Sequence, residues 1–447
     1  MKQNNMWKKS LAAVLSVSML APGMGVLAEE AEAEKPYEGV TLTWATTDNA
    51  ATGAEMTEMV ELIKEKTGIN IEFSIVPTSN AGEIDKVLVG LMAGDEIDII
   101  SRTPVQLKEF YNAGVLEPLD ELAAAAGYDM EATYGDNLIT YDDGQVYALP
   151  EYADIWLTYY NKKIFDDAGV EYPSAEGWTW EKYIETAKLL QNDEEGIWGS
   201  FMLDYDNYNY MYALQSGAEC YKEDGTSNFD DEIFKTSLKF FYDFGNELKV
   251  QPSSVEYASG TYPYNSFMVN GNIGMFICGG WVASTLTDLT KYPRDWEAGI
   301  LPMPYPEGQE ASSLYISTGV AVPKTSVNKD AAFAAISCIA ENLYTLGHGR
   351  IPVRRDLTDE EVDTYITEQL LPGFEHDGIT LEDIKTAWFD NDRNLVFEKI
   401  TGTADTTINQ IWVEEGQLYG QGSKSLDEAM ESIKTRSDEA IAEALEE

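Results

Sequence analysis

The sequence has 447 residues, of which 44% are hydrophobic and 24% are charged, and its formal net charge is −48. A chain of this length and apolar content folds into globular domains with sizeable cores, which excludes a disordered protein. The large negative charge argues against nucleic acid and anionic lipid as partners, but it says little about an uncharged ligand.

Residues 1–28 have the pattern of a secretory signal peptide. Three lysines precede an apolar run at 11–20, and Val26 and Ala28 are the small residues before a cleavage site. The run is shorter than the roughly 20 apolar residues that a membrane span needs. We therefore expect cleavage after Ala28, an acidic linker over 29–39, and no direct membrane span in the mature chain.

From residue 40 to 114 the sequence alternates between strand and helix patterns. Periods of two residues predict strands, and apolar residues at i, i+3, i+4 and i+7 predict helices. The predicted strands are 40–46, 69–75 and 97–100, and the predicted helices are 56–67, 84–93 and one ending near Ala113. This alternation predicts an α/β fold of right-handed β-α-β units on a mostly parallel sheet.

The stretch from Gln145 to Gly169 marks the passage from one α/β unit to another. A turn at Gly144 leads into a strand that is predicted to end at Pro150. A polar and aromatic crossing follows, and a second strand then leads into a short helix over 162–168.

The second half of the chain continues the same mixture of elements. Residues 270–283 (NGNIGMFICGGWVA) are apolar and contain several glycines, which predicts a buried strand and a tight turn that projects Trp281 outward. Ser425 and Glu428 have the spacing of a capping box at the start of a long C-terminal amphipathic helix. The other predicted elements are a proline-rich crossing at 300–306, a strand at 315–322 and a helix at 330–344.

The motifs of common enzymes and cofactor sites are missing. The only histidines are His348 and His376, neither near a nucleophile motif, and no phosphate-binding or dinucleotide-binding glycine pattern occurs. Asp390, Asp392 and Asn394 imitate a calcium loop but lack its later glycine and glutamate, so we interpret them as a solvated acidic turn. We therefore predict no catalytic residues, no cofactor and no metal.

Cysteine usage gives no metal pattern. Cys220, Cys278 and Cys338 are widely spaced and odd in number. Cys278 and Cys338 lie in apolar patterns and are predicted to be buried, and the pairing of any one disulfide stays open.

Aromatic residues, with 10 Trp and 26 Tyr, are the most informative class. Sugar rings pack their C–H faces on aromatic rings, while their hydroxyls need charged or amide partners. Most Trp side chains serve core packing, but Trp281 follows two glycines at the end of an apolar run. We interpret Trp281 as a platform for a ligand.

Ten segments in order resemble family 1 of the extracellular solute-binding proteins, the sugar-capturing components of ABC importers, which are similar in type to maltose-binding proteins. The segments extend from about Thr41 to the C-terminus. They are TGINIEF, LMAGDEIDII, AGVLEPLDEL, VYALP, YYNKKIFDDAG, WTWEKYIETAKLL, NGNIGMFICGGW, GILPMPYPEG, STGVAVPKTSVNKDAAFAAI and RIPVRRDL.

The resemblance implies a two-lobed, type II periplasmic-binding-protein-like fold with a ligand cleft between lobes that close by a hinge. It implies an N-terminal lobe of 40–149 and 300–325 and a C-terminal lobe of 150–299 and 326–447. The implied crossings lie near Leu149–Ile155, Glu297–Pro304 and Pro323–Asn328.

Carried over by position, the resemblance also implies a set of ligand-binding residues. Trp281 matches the family's aromatic residue after a double glycine, and Tyr152 and Trp156 follow the LP step. Arg354 and Arg355 follow the RIP segment, although at least one of them could pair with this chain's many acids. The expected ligand-binding residues are Trp281, Tyr152, Trp156, Tyr315, Asp48, Arg102, Arg354 and Trp388.

The function that follows is binding rather than catalysis. We expect a monomer that captures a carbohydrate, with an oligosaccharide as the leading candidate, and delivers it to ABC transporter permease subunits. The alternatives are a secreted glycan-active enzyme and a binding protein for a peptide, polyol or polyamine. Since no cysteine precedes Cys220, a lipid-modified cysteine at the cleavage site is not expected, and the protein should be extracytoplasmic.

Overall fold

The fold begins with a turn that contacts the end of the first described helix. The computed structural model describes residues 35–46, 54–76, 86–141, 143–259, 262, 265–346, 350–389 and 393–446. The N–H of Tyr37 donates to the carbonyl of Thr67 at 3.0 Å, and the N–H of Val40 donates to the carbonyl of Tyr37 at 3.1 Å. Residues 36–39 therefore belong to the fold, although the sequence predicted them as linker, while the predicted signal peptide lies outside the described residues.

The first strands form the parallel arrangement that the sequence predicts. β1 (Thr41–Thr46) pairs in parallel with β2 (Asn70–Ile75) and β3 (Ile99–Arg102). The helices that alternate with them are α1 (Ala54–Thr67), α2 (Lys86–Ala93) and α3 (Pro104–Asn112). The predicted β-α-β units are thus confirmed in this part of the chain.

Two short helices, a two-residue strand and a long strand follow. They are α4 (Asp120–Ala126), α5 (Met130–Tyr134), β4 (Ile139–Thr140) and β5 (Val146–Asn161). β5 is one continuous strand of 16 residues, so the prediction of a strand that ends at Pro150 is wrong. A bulge at Glu151 accommodates Pro150, which has no N–H to donate to a neighbouring strand. The valine, tyrosine and tryptophan residues of β5 favour extended backbone on both sides of this bulge.

The remaining elements, in chain order, are α6 (Lys162–Ala168), α7 (Trp180–Leu190), β6 (Trp198–Phe201), α8 (Met211–Gln215), α9 (Glu232–Asn246), α10 (Ser254–Ala258), α11 (Ser266–Asn270), β7 (Ile273–Gly279), α12 (Val282–Thr287), β8 (Ala298–Pro302), β9 (Ser312–Ala321), α13 (Lys329–Leu346), α14 (Asp359–Tyr365), α15 (Leu381–Trp388), β10 (Asn394–Phe397), α16 (Asp405–Gly420) and α17 (Leu426–Glu446). The capping box at Ser425 and Glu428 is present at the start of α17, as the sequence predicted.

β5 and β9 connect the two halves of the sheet. The described strands follow the order β2-β1-β3-β9-β5-β7-β6, with β10 beside β9, and with β4 and β8 beside β5. The first half of β5 pairs with β9 and its second half pairs with β7 and β8, all antiparallel. Beyond β3 the prediction of a mostly parallel sheet holds only for the pairs β6–β7 and β9–β10, because β9 is antiparallel to β3 and β5, and β5 is also antiparallel to β4, β7 and β8.

Three cores pack around this sheet. One contains Leu42 and Trp44 of β1 with the buried face of α13, and another contains Ala45 and lies on the opposite face of β1. The largest core contains Trp156 together with β7, α9, α16 and α17. Because the alanine-rich face of α13 packs with β1, the chain does not leave this core at Pro323–Asn328, and the crossing predicted there is wrong.

None of the three cysteines forms a disulfide. Cys220, Cys278 and Cys338 are all free, and Cys278 and Cys338 are buried as predicted. No helix within the described ranges combines the length and apolar character that crossing a bilayer requires.

Candidate functional site

Strand β5 carries three candidate side chains on one face. Tyr152, Asp154 and Trp156 are two residues apart, and successive residues of a strand point to opposite faces. Ile155 lies between Asp154 and Trp156 in the chain and pairs with Tyr315 of β9, so the side chains of Ile155 and Tyr315 point to the other face. We call the side of the sheet that carries Tyr152, Asp154 and Trp156 the Tyr152 face, and Tyr315 is not part of it.

Trp281 lies against this face from the end of β7. Its ring packs edge-to-face on the ring of Trp156, with centroids 5.6 Å apart and planes at 88°. A Cβ on Gly279 would be 1.9 Å from the Trp281 ring, so a glycine is required beneath it. Trp281 is partly exposed while Trp156 is fully buried. Trp281 can therefore present a ring to a ligand, and Trp156 supports it.

Trp156 also connects the aromatic group to a buried carboxylate. Its indole N–H donates to Glu398, which follows directly after β10. Its ring packs edge-to-face on Tyr208 at 5.2 Å, and Tyr208 stacks on the partly exposed Tyr205 at 6.0 Å. The four rings thus form one row of contacts, and the two outer rings, Trp281 and Tyr205, are accessible.

Arg350 is a candidate site residue that the sequence analysis did not name. Its guanidinium carbon lies 4.0 Å from the centroid of the Tyr152 ring, and Nη2 is 2.9 Å from Oε1 of Glu55. Its segment is held to β5 by two backbone hydrogen bonds between Ile351 and Ala153. Burial lowers the pKa of Arg350, but Tyr152, Glu55 and nearby carboxylates outweigh it and raise the pKa overall, so the group stays charged.

Three buried carboxylates lie around this arginine and the tryptophan pair. Burial raises the pKa of all three carboxylates and is the largest cause for each. The pKa of Glu151 is raised, that of Asp154 rises to about 7, and that of Glu398 also rises to about 7. Arg350 lowers the pKa of the first two and Lys399 that of Glu398, but neither compensates for the lost hydration. Glu151 accepts a hydrogen bond from the hydroxyl of Ser101 at 2.9 Å, whereas Oδ1 of Asp154 has no partner among the described residues.

The structure places four predicted residues away from this group or outside the described residues. Arg354 forms a bidentate pair with Asp356 at 2.9 and 2.7 Å, which is the pairing with surplus acid that the sequence left open. Trp388 is buried in the largest core against Phe374, so it serves packing. Tyr315 packs on Phe397 on the other face, and Asp48 lies outside the described residues.

Arg102 is the last residue of β3 and lies next to Ser101. Its Nη1 donates to the carbonyl of Ser101 at 2.7 Å, and its side chain is partly exposed. Since Ser101 binds Glu151, Arg102 lies one residue from the carboxylate group without belonging to it.

Tyr315 lines a separate cavity of about 350 Å³ on the far face. Its walls include Tyr141, Pro150, Ser317 and Phe397. A larger surface depression of about 780 Å³ lies among α4, α5 and Val146, and none of the predicted residues lines it. Cavity volume and the aromatic and charged residues of the Tyr152 face therefore point to different parts of the surface.

The described residues contain no cluster of histidine, cysteine, aspartate or glutamate that could hold a metal ion. The chemistry of the Tyr152 face is that of recognition, since it combines an accessible aromatic ring, a stacked guanidinium and buried hydrogen-bond acceptors.

Comparison with known proteins identifies the family. The family model for bacterial extracellular solute-binding proteins matches residues 47–342, which is well over half of the chain. The chain belongs to this family. A binding protein of Brucella abortus is 25% identical to this solute-binding protein over 384 residues, which cover 82% of this chain and 86% of the relative.

A second sequence relative and a solved structure are also similar to this chain. The arabinooligosaccharide-binding protein of Halalkalibacterium halodurans is 28% identical over 234 residues, covering 49% of this chain and 50% of that protein. The structure of an ABC substrate-binding protein from Listeria monocytogenes in complex with cycloalternan matches with a TM-score of 0.75 at 21% identity, covering 90% and 99% of the two chains. The predicted α/β, two-lobed fold of this solute-binding protein is confirmed.

Proposed function

We propose that this solute-binding protein captures a carbohydrate outside the cytoplasm and delivers it to the permease of an ABC importer. The observation that carries the proposal is the partly exposed Trp281 ring, held edge-to-face on Trp156 beside Arg350 and the buried carboxylates. An aromatic ring packs on the C–H face of a sugar, and charged oxygen and nitrogen atoms bind its hydroxyls. Relatives named for an arabinooligosaccharide and for cycloalternan favour an oligosaccharide.

We further propose that two lobes close on the ligand about β5 and β9. The N-terminal lobe comprises 40–149 and 300–325, to which we add α13 because it shares a core with β1. The C-terminal lobe comprises 150–299 and the chain after α13. Since β5 carries Tyr152 and Trp156 on the strand that joins the halves, a ligand that contacts both would favour closure directly.

Isothermal titration calorimetry with a panel of mono- and oligosaccharides tests the proposal. At least one sugar should bind, and Trp281→Ala should lower its affinity tenfold or more, about 1.4 kcal/mol. Tyr315→Ala is the matched control, because it removes an aromatic ring from the opposite face and should leave the affinity unchanged. Unaltered affinity in Trp281→Ala would refute the assignment of the site.

The panel also separates this function from its alternatives. Any glycan that binds is incubated with the protein and analysed by mass spectrometry, since shortened products would show a glycan-active enzyme instead. Peptides, polyols and polyamines are included, and binding of one of these with no binding of any sugar would overturn the carbohydrate assignment.

A further inference from the structure

The charges of the Tyr152 face do not balance. Glu55 forms an ion pair with Arg350, and Asp206 pairs with Lys399 through a direct hydrogen bond. After these two pairs are set aside, Glu151, Asp154 and Glu398 remain, each no more than 5% exposed and none in an ion pair within the described ranges. The site therefore holds more buried carboxylates than positively charged side chains to pair with them.

Asp154 is the group in this set with unused binding capacity. Its residue is 5% exposed, and its Oδ1 atom has no hydrogen-bond donor among the described residues. A buried carboxylate oxygen without a donor is costly, and a donor supplied by a ligand removes that cost. Asp154 lies between Tyr152 and Trp156 on one face of β5, so this oxygen belongs to the face where the accessible ring is.

A cationic donor satisfies the site better than a neutral one. Asp154 and Glu398 repel each other, and this repulsion is among the causes that raise the pKa of Glu398. An ammonium group at Oδ1 of Asp154 would supply the missing hydrogen bond, and its positive charge would offset the repulsion from Glu398. The Trp281 ring would also attract a cation over its face.

An anionic ligand is the competing possibility, since Nη1 of Arg350 also lacks a partner. That guanidinium is already engaged by Glu55 and by the Tyr152 ring, and two further carboxylates, Glu151 and Asp154, also act on it. A ligand carboxylate would therefore meet one shared positive charge and several negative ones, which makes it the less favourable occupant.

We propose that the ligand of this site is a sugar or polyol that carries a protonated amine, with the ammonium group bound by Asp154 and Glu398 and the carbon skeleton packed on Trp281. This inference rests on the proposed carbohydrate-binding function and specifies the substrate class.

Matched ligand pairs test the inference on the mature protein at pH 7. Chitobiose is compared with cellobiose, and glucamine with sorbitol, because the first pair differs by two amines in place of two hydroxyls and the second by one amine in place of one hydroxyl. At least one aminated member should bind ten times more tightly than its neutral counterpart. Asp154→Asn should lower that affinity tenfold or more and abolish the preference for the aminated member over its neutral counterpart. Asp356→Asn, which changes a surface carboxylate, should leave both affinities and the preference unchanged.

The outcomes separate this inference from the function on which it rests. Equal or tighter binding of the neutral members overturns the amine preference and leaves the carbohydrate function standing. Tight binding of spermidine with no binding of any sugar or polyol overturns both. Retained amine preference in Asp154→Asn and in Glu398→Gln overturns the assignment of these carboxylates.

Discussion

Arg350 stacks on Tyr152, with its guanidinium carbon 4.0 Å from the ring centroid, and at the same time binds Glu55 at the start of α1. Tyr152 belongs to β5, which joins the two halves of the sheet. One arginine therefore connects the first helix, the long connecting strand and the carboxylate group. Its removal should affect both the stability of the fold and the binding of ligand.

Arg350→Gln should lower the free energy of unfolding by about 2 kcal/mol, because it leaves the partly buried Glu55 without its charge partner. Arg350→Lys should recover only part of the loss, since an ammonium group lacks the planar surface that stacks on Tyr152. Urea denaturation measures both variants. Arg354→Gln is the matched control and should cost less than about 1 kcal/mol, because its pair with Asp356 is at the surface. An equal loss in the two Gln variants would contradict the role of Arg350.

The three arginines of RIPVRRDL show where sequence reasoning reaches its limit. The segment was recognisable, but the resemblance pointed to Arg354 rather than Arg350, the first letter of the same motif. Which arginine enters the site depends on contacts with Glu55 and Tyr152, residues roughly 200 to 300 positions away in the chain, and no local pattern encodes these contacts. Tyr152 and Trp156 were named from their position after the LP step, and only the continuous strand β5 shows that they share one face.

The same distinction applies to the elements. β1, α1, β2 and α17 have local periodicity and caps, and the sequence predicted them with small errors at their ends. β5 was divided at Pro150 because proline usually ends a strand, whereas the bulge at Glu151 accommodates it here. The placement of α13 could not be predicted from its own residues, because an alanine-rich helix can pack in either lobe.

Gly279→Ala should reduce ligand affinity at least fivefold while the protein remains folded. The added Cβ would lie 1.9 Å from the Trp281 ring, which must move away from its position on Trp156. The measurement is calorimetry with whichever sugar binds the wild type, with circular dichroism as a check on folding. A double-mutant cycle gives the control, because Gly279→Ala should add nothing in a Trp281→Ala background. Additive losses would show that the glycine acts through something other than the ring.

Asp154→Asn should make the ligand-free protein more stable at pH 8 and leave its stability nearly unchanged at pH 4. Burial raises the pKa of Asp154 to about 7, from about 3.9 in an unfolded chain, with Arg350 opposing the shift and Glu55 adding to it. Between these values the folded state holds a proton that the unfolded state has released, so stability falls as pH rises toward 7. Each pKa unit of difference is worth about 1.4 kcal/mol, and the asparagine variant avoids the loss.

Asp356→Asn supplies the control of opposite sign. Arg354 is the main cause that lowers the pKa of Asp356, so this carboxylate stabilises the fold at neutral pH and stops doing so as the pH falls below its usual range. Asp356→Asn should therefore be less stable than the wild type at pH 7 and equally stable in strong acid. Asp154→Asn should instead become more stable relative to the wild type as the pH rises. Urea denaturation of the wild type and both variants from about pH 2 to pH 8 measures the two trends, because this range covers the titration of both carboxylates. If Asp154→Asn is no more stable than the wild type at pH 8, the carboxylate of Asp154 is not held in the costly buried state on which the binding of a ligand amine depends.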